Sequence, residues 1–321
     1  MQERPDPSIR AAFRRFLGAV ATTARGAVPR GLAACALVIL ASCQQAGIMD
    51  PQGPVAAAQW LLLINATEIM LVVVVPVILV TLWVAWWYRA SNERAGRALE
   101  WRFQGSVEFV TWSIPALVVI LLGGVTWISS HQLDPATPLP GDKKPVRVDV
   151  VSLDWKWLFI YPDQGVATVN QLVIPVGTPV SFRLTSATVM NSFFVPQLGS
   201  QIYTMGGMTT RLNLQADNQG EFVGFSNNFS GDGFPDMRFM VKAVASGDFD
   251  GWVGQAHGSG KKLDDPAYAE LTKPSIAAPP ATFGSVDANL FERIVEQTAQ
   301  IPEKERAAGN AWCPPATRVG G

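Results

Sequence analysis

The chain has 321 residues, enough for one or two domains, and its 25 basic against 26 acidic residues leave a formal net charge of −1. That balance excludes the electrostatic footprint of a nucleic-acid or polyanion binder, while a charged content of only 16% with 48% hydrophobic residues points to segments inside a membrane. Three cysteines make no disulfide framework, and two histidines, His131 and His257, distant from each other and from any cysteine, exclude a metal cluster built on several imidazoles.

Residues 1–30 are basic and irregular, with Arg10, Arg14, Arg15, Arg25 and Arg30, and an apolar run follows from Gly31 to Ala41. A basic n-region, a short apolar core and small residues at the end describe a secretory signal. The closing Leu40-Ala41-Ser42-Cys43 resembles the lipobox of bacterial lipoproteins. It implies a lipoprotein signal peptide over 1–42 and a lipidated Cys43; the alternative is a buried cysteine in an uncleaved helix. Leu32-Ala-Ala-Cys35 fits the same pattern but follows Arg30 too closely. The basic stretch before Arg25 is long for a signal, so the translation start is expected downstream of Met1.

Residues 43–60 read as a polar, proline-bearing N-terminal segment after the lipid. Residues 61–88 form a first transmembrane span, longer than the roughly 20 residues a bilayer needs, with Pro76 inside it and Trp83, Trp86, Trp87 and Tyr88 as an interfacial belt at one end. The loop 89–106 carries Arg89, Arg94, Arg97 and Arg102 and is cytoplasmic by the positive-inside rule. A second span covers 107–130, with Pro115, Gly123 and Gly124 inside it. Cys43 and everything after Ser130 then lie outside, which agrees with where lipidation occurs.

Over 131–257 the period falls to two. Val146 to Leu153, Gln171 to Ile174 and Val180 to Leu184 alternate, and short strands are expected at Thr209–Leu214, Phe222–Phe225 and Met237–Val244. Turn signals at Pro162-Asp-Gln-Gly165, Pro175-Val-Gly177 and Asn218-Gln-Gly220 separate them, which predicts an antiparallel β-sandwich. Trp155 and Trp157 fall on one face of a strand. Residues 258–300 form an appendage, irregular at Pro274, Pro279 and Pro280, with a helix over Asp287–Gln300. Residues 301–321, rich in Ala, Gly and Pro, are expected to be a disordered tail.

The stretch Ser226-Asn-Asn-Phe-Ser-Gly-Asp-Gly-Phe-Pro-Asp-Met237 has the spacing of the binuclear copper loop of haem-copper oxidase subunit II, Cys-x-Glu-x-Cys-x-x-x-His-x-x-Met. Ser226 and Ser230 stand at the thiolate positions, Asn228 at the Glu and Phe234 at the His; Met237 alone keeps a ligating residue type. The upstream His of that site falls on Asn191, in Val189-Met-Asn-Ser-Phe-Phe-Val-Pro196. Hydroxyls, amides and a phenyl ring are poor copper ligands. With Asp154-Trp-Lys-Trp-Leu-Phe-Ile-Tyr-Pro162, Ala167-Thr-Val-Asn170 and Val189 to Tyr203, this loop resembles subunit II of the quinol-oxidising branch, the cytochrome bo-type ubiquinol oxidases, over Cys43 to about Gln297.

The resemblance implies a two-span transmembrane helical hairpin, then an all-β cupredoxin-like Greek-key sandwich, then a short C-terminal helical appendage. It implies a subunit of a proton-pumping ubiquinol oxidase in the bacterial inner membrane, with its N-terminus and C-terminal domain periplasmic. Such a subunit holds no cofactor of its own. Haems and one copper are expected in subunit I, with ubiquinol the substrate of the complex and no role for cytochrome c. The partners implied are subunit I, smaller membrane subunits and lipid. Two other readings stand beside it: a cytochrome c oxidase subunit II with a copper pair, and a membrane-anchored cupredoxin-like scaffold or assembly lipoprotein.

In the resembling family a Glu at the place of Glu108 lies by the mouth of a proton channel into subunit I, so Glu108 is the candidate for proton loading. Against it stands an interfacial Glu paired with Arg102 or with lipid headgroups. Glu68, near the outer start of span one, faces either subunit I or the headgroups. Met190, Met205, Met208, Met237 and Met240 read as packing. Asn65-Ala-Thr67 and Asn228-Phe-Ser230 match a glycosylation acceptor, a short pattern that a bacterial lipobox argues against. The emptied loop keeps a structural task, with Phe234 and Met237 filling volume and Ser226, Asn228 and Ser230 bonding the turn.

Overall fold

The computed structural model describes residues 47–96, 104–141 and 143–307, with side chains to residue 299. The expected signal peptide 1–42, Cys43, Arg97, Arg102 and residues 308–321 with Cys313 lie outside the described residues.

Helix α1 spans Pro54–Trp87 and α2 spans Gly105–Gln132. The helix that carries span one therefore begins seven residues before position 61. Pro54 at the first helical position has its φ pre-set and no N–H to satisfy, and Ala56, Ala57 and Ala58 are strong helix formers, so residues 54–60 of the expected segment 43–60 form two helical turns. Both helices are long and apolar enough to cross a membrane, and the most apolar window of each is 0% buried against the rest of the chain. At the arginine-bearing end Arg89 donates to Trp86 O at 3.0 Å and Asn92 Nδ2 donates to Trp87 O at 2.6 Å. A cation thus sits where the α1 carbonyls concentrate negative charge.

Thirteen strands follow among the described residues: β1 Val146–Leu153, β2 Lys156–Tyr161, β3 Val166–Val169, β4 Gln171–Pro175, β5 Val180–Ser186, β6 Asn191–Phe194, β7 Ile202–Thr204, β8 Thr210–Leu214, β9 Gly220–Ser226, β10 Arg238–Val244, β11 Lys262–Leu263, β12 Ala281–Phe283 and β13 Ser285–Val286. One sheet runs β12-β3-β2-β1-β5-β8, the other β4-β10-β9-β6-β7. The sandwich is mixed, not antiparallel throughout: β1 pairs parallel with β5, and β10 with β4.

Between the sheets lie Val148, Val150, Trp157, Phe159, Tyr161, Phe182, Phe193 and Phe239. Trp157 is 0% exposed, edge-on to Phe193 at 5.5 Å and to Phe239 at 5.6 Å between ring centroids. Residues of opposite parity, Val151, Leu153, Leu158 and Ile160, point out of the sandwich and pack on Leu263, Leu290, Phe291 and Ile294 of the C-terminal region. The first sheet is thus covered on both faces. That is why β2 is buried at every position and shows no alternation.

The C-terminal region is knitted into the sandwich. Helix α3, Ser246–His257, closes the core with Phe249 and Ala256, and His257 ends it. Its Nδ1 lies 2.8 Å from Gly284 O. Helix α4, Asp265–Leu271, is capped by Asp264, whose carboxylate accepts from Ala267 N. Strand β12 follows Pro280 directly and adds an edge to β3. Helix α5 runs Leu290–Ala307, three residues after the expected start, and it takes up 301–307 of the expected disordered tail.

Arg183 latches α5. Its Nε and Nη2 donate to both carboxylate oxygens of Asp149 at 2.7 and 2.6 Å, Nη2 reaches Glu292 at 3.0 Å, and the guanidinium lies over Phe291. Burial pushes the Asp149 carboxyl above its ordinary range, and the bonds from Arg183 pull it part of the way back. Lys156, also buried, spans the same seam and donates from Nζ to Lys273 O at 2.8 Å.

The outer helix ends are bolted to the sandwich. Gln52 N donates to Gln197 O at 2.7 Å, and Asp217 N donates to Gln52 O at 2.8 Å. A Cβ on Gly53 would come within 2.0 Å of Gln215 O, so only glycine fits that crossing. Below α2, Asn213 donates to the carbonyls of Pro135, Ala136 and Thr137.

Candidate functional site

Strand β6 opens on Asn191 and β9 closes on Ser226, and their antiparallel pairing sets Phe193 opposite Ser226. The chain then leaves the sheet, makes a 3-10 turn at Phe234–Asp236 and re-enters β10 after Met237. Ser226 N donates to Met237 O at 3.2 Å, which closes the loop at its base. Five of the six loop residues singled out in sequence converge here. Ser226 Oγ lies 3.3 Å from both Asn191 Oδ1 and Asn228 O, and with one proton it donates to one of them at a time. Asn191 Nδ2 donates to Val189 O at 3.1 Å and Asn228 Nδ2 to Met190 O at 2.9 Å. Ser230 Oγ reaches Met237 Sδ at 4.0 Å, and Met237 is 0% exposed.

Phe234 is the exception. It is half-buried and packs edge-on to Phe229 at 5.7 Å, at the surface of the loop, so Met237 alone takes the core position. Phe225, Phe234, Pro235 and Arg238 line a cleft of about 290 Å³ beside it.

Trp155 does not share a strand face with Trp157. It sits in the turn between β1 and β2 at φ 63°, half-buried, while Trp157 is in the core. The left-handed backbone at 155 swings its indole over the loop, where Nε1 donates to Ser230 O at 3.0 Å. A Cβ on Gly233 would fall 2.4 Å from the indole, and Gly231 has φ +106°, so both glycines are required by this contact. A second polar set joins in: Asn227 N donates to Ser192 Oγ at 2.8 Å, and Asn227 Nδ2 to Gln201 Oε1 at 3.1 Å. The glycines at 231 and 233 were the readable sign of a ring pressed on the loop.

The converging side chains offer hydroxyls, carboxamides and one thioether. A binuclear copper centre needs thiolates and imidazoles, and these donors do not fit it. Among the described residues no three His, Cys, Asp or Glu side chains are grouped to hold a metal.

Glu108 lies at the opposite end of α2, exposed in its first turn, where the helix N-terminus favours a carboxylate. From there to Gln132 the helix rises roughly 36 Å, so Glu108 and the loop are separate sites. Glu68 is exposed on α1. His131 Nδ1 lies 2.8 Å from Trp127 O.

Two family models match: cytochrome c oxidase subunit II, periplasmic domain, over residues 158–244, and the COX aromatic rich motif over residues 257–300. The chain is 49% identical over 261 residues to cytochrome bo(3) ubiquinol oxidase subunit 2 of Pseudomonas putida, covering 81% of this chain and 83% of the relative. It is 46% identical over 271 residues to the protein of the same name in Pseudomonas aeruginosa, covering 84% and 82%. To ubiquinol oxidase subunit 2 of Acetobacter aceti it is 45% identical over 260 residues, covering 80% and 84%. Two membrane-length helices and a periplasmic-type subunit II domain fit a protein of the inner membrane. On these relatives, and on a hairpin followed by a cupredoxin-like sandwich, the chain belongs to the subunit II family of haem-copper quinol oxidases and is part of an oxidoreductase complex.

Proposed function

We propose that this chain docks on and shapes the haem-bearing subunit I of a proton-pumping ubiquinol oxidase and carries no copper. One observation supports the reading above the rest: the hydroxyl and amide network at Asn191, Ser226 and Asn228 occupies the place of a copper donor set and satisfies its own hydrogen bonds. A soluble one-electron carrier such as cytochrome c needs a metal relay at the outer surface, whereas a lipid-soluble quinol delivers electrons from within the membrane. In this reading the haems and one copper reside in subunit I, smaller membrane subunits and lipid complete the assembly, and cytochrome c has no part.

Glu108 loads protons at the cytoplasmic face in the same reading, supported by its place in the first turn of α2 beside an arginine-bearing loop. Cys43 carries the lipid that holds the N-terminus at the outer surface. Copper and haem analysis of the purified complex tests the first point: one copper per pair of haems supports it, and three coppers overturn it. For Glu108, turnover of Glu108→Gln and Glu108→Ala decides, since undiminished turnover removes the proton-loading role.

The cupredoxin reading has its own test. Asn191→His, Ser226→Cys, Asn228→Glu, Ser230→Cys and Phe234→His made together should yield a purple copper centre, because the loop already closes on Met237. A well-folded, colourless, metal-free product would count against it.

A further inference from the structure

The loop 226–237 carries a labile dipeptide beneath an aromatic clamp. The chain holds two Asp–Gly pairs, Asp232-Gly233 and Asp250-Gly251, and both aspartates are exposed. At such a pair the following main-chain nitrogen attacks the side-chain carboxyl, and glycine has no Cβ to hinder it. For the first pair, a bond forms between Gly233 N and Asp232 Cγ. One water leaves, built from the carboxyl hydroxyl and the amide proton. A second water then opens the resulting succinimide. Cleavage at Cγ restores aspartate, whereas cleavage at the main-chain carbonyl carbon leaves an isoaspartyl linkage. One water is lost and one regained, and no electron is transferred.

The two pairs differ in what holds their backbone. Gly251 lies inside α3, where its N–H is committed to the carbonyl four residues back. Gly233 N donates to no acceptor among the described residues. Phe234 N donates to Gly231 O at 3.1 Å across a turn, and Gly233, its third residue, has φ −88° and ψ 5°, the values of a type I turn. Such a turn keeps Asp232 near helical values, away from the eclipsed geometry that the succinimide ring requires. Reaction therefore waits on a local opening of the turn, and no helix resists that opening.

Trp155 does resist it. Its indole Nε1 donates to Ser230 O at 3.0 Å, and an ideal Cβ would lie 3.2 Å from the ring if built on Gly231 and 2.4 Å if built on Gly233. The ring bears on residues both before and after Asp232. Its closeness admits only glycine at 233, and that glycine leaves Asp232 without a shielding neighbour. One contact both creates the hazard and restrains it.

We propose that Asp232–Gly233 is an isomerisation site and that Trp155, from the turn between β1 and β2, is the positioning residue that keeps it closed. An isoaspartyl linkage adds one carbon to the main chain at this point. The loop is closed at its base by the bond from Ser226 N to Met237 O, so it takes up the extra length by lifting Gly233 off the indole.

The test ages the full chain in detergent at neutral pH and follows isoaspartate at both pairs by peptide mapping with electron-based fragmentation. Enzymatic methylation of the newly freed α-carboxyl gives an independent total. Trp155→Ala is expected to accumulate isoaspartate at 232 several-fold faster than wild type, with 250 unchanged. Trp155→Phe, which keeps a ring but loses the bond to Ser230 O, should fall between the two. A short peptide of sequence 229–236 sets the unrestrained rate, and the wild-type chain should be far slower. Equal acceleration at 232 and 250 in the Trp155 variants would report general unfolding and overturns the assignment. A wild-type rate equal to that of the peptide overturns it as well, as does a Trp155→Ala chain that ages no faster than wild type.

Discussion

The sandwich and the hairpin solve opposite problems. In the sandwich, apolar side chains are buried by other side chains of the same chain: Trp157, Phe159, Phe182 and Phe193 are at most 1% exposed, and a second cluster covers the outer face of β1 and β2. In the hairpin the apolar windows are 0% buried, and Phe109, Trp112, Leu117 and Ile120 stand open. One region carries its own interior, and the other leaves its apolar surface to be covered from outside the chain. A substitution should therefore be felt strongly in the first and weakly in the second.

The largest effect is expected at the centre of the sandwich. Trp157→Ala empties a site enclosed by Phe193 and Phe239 and should cost about 3–5 kcal/mol in unfolding of the detergent-solubilised chain, followed by tryptophan fluorescence. A cost near zero would mean that the core collapses around the gap.

Next comes the latch of α5. Arg183→Ala leaves the Asp149 carboxylate, with its side chain 3% exposed, without its partner and should cost about 3 kcal/mol. Its pH dependence is a separate readout. Burial holds the folded carboxyl above its unfolded pKa, so the protonated form contributes stability that is present at low pH and lost as pH rises through the raised value. Removing Arg183 pushes that value further up. The deficit of the variant should accordingly shrink as pH falls from neutrality towards the carboxylate range, and a deficit that grows on acidification would contradict the assignment.

Gly233→Ala sets a methyl 2.4 Å from the Trp155 indole and should cost about 1–3 kcal/mol through overpacking. Trp155→Ala in the same background should relieve most of that strain, which a double-mutant cycle reads directly. The smallest effect belongs to the lipid face: Ile78→Ala, half exposed on α1, should change stability by about 0.5 kcal/mol or less. A loss as large as that of a core residue would place a protein neighbour at this position.

The same contrast explains what was legible in the sequence. The spans could be read because lipid solvates them uniformly, leaving long apolar runs with arginines at one end. Strands β1, β4 and β5 showed in their alternation, but β2 hid in Lys156-Trp-Leu-Phe-Ile-Tyr161, where both faces are buried and no period survives. Parallel pairing of β1 with β5 depends on connections across the sandwich, about which local alternation says nothing. The convergence of Asn191 with Ser226, Asn228 and Met237 was legible only through the resemblance to a copper loop, because a loop anchored at both ends by strands preserves its geometry when its ligands are replaced. The role of Trp155 was not, since only its left-handed backbone separates it from the strand that Trp157 occupies. Phe234 was expected to fill volume beside Met237; its ring is instead half-buried at the loop surface, edge-on to Phe229. The latch joins Arg183 to Asp149, 34 positions away, and to Glu292 of α5, 109 positions away, and leaves no local trace.

Oxygen uptake by the complex purified through this chain tests the central claim most directly. The account predicts uptake with ubiquinol that is insensitive to added cytochrome c, and no turnover with reduced cytochrome c alone. Uptake driven by reduced cytochrome c, with quinol inert, would contradict it.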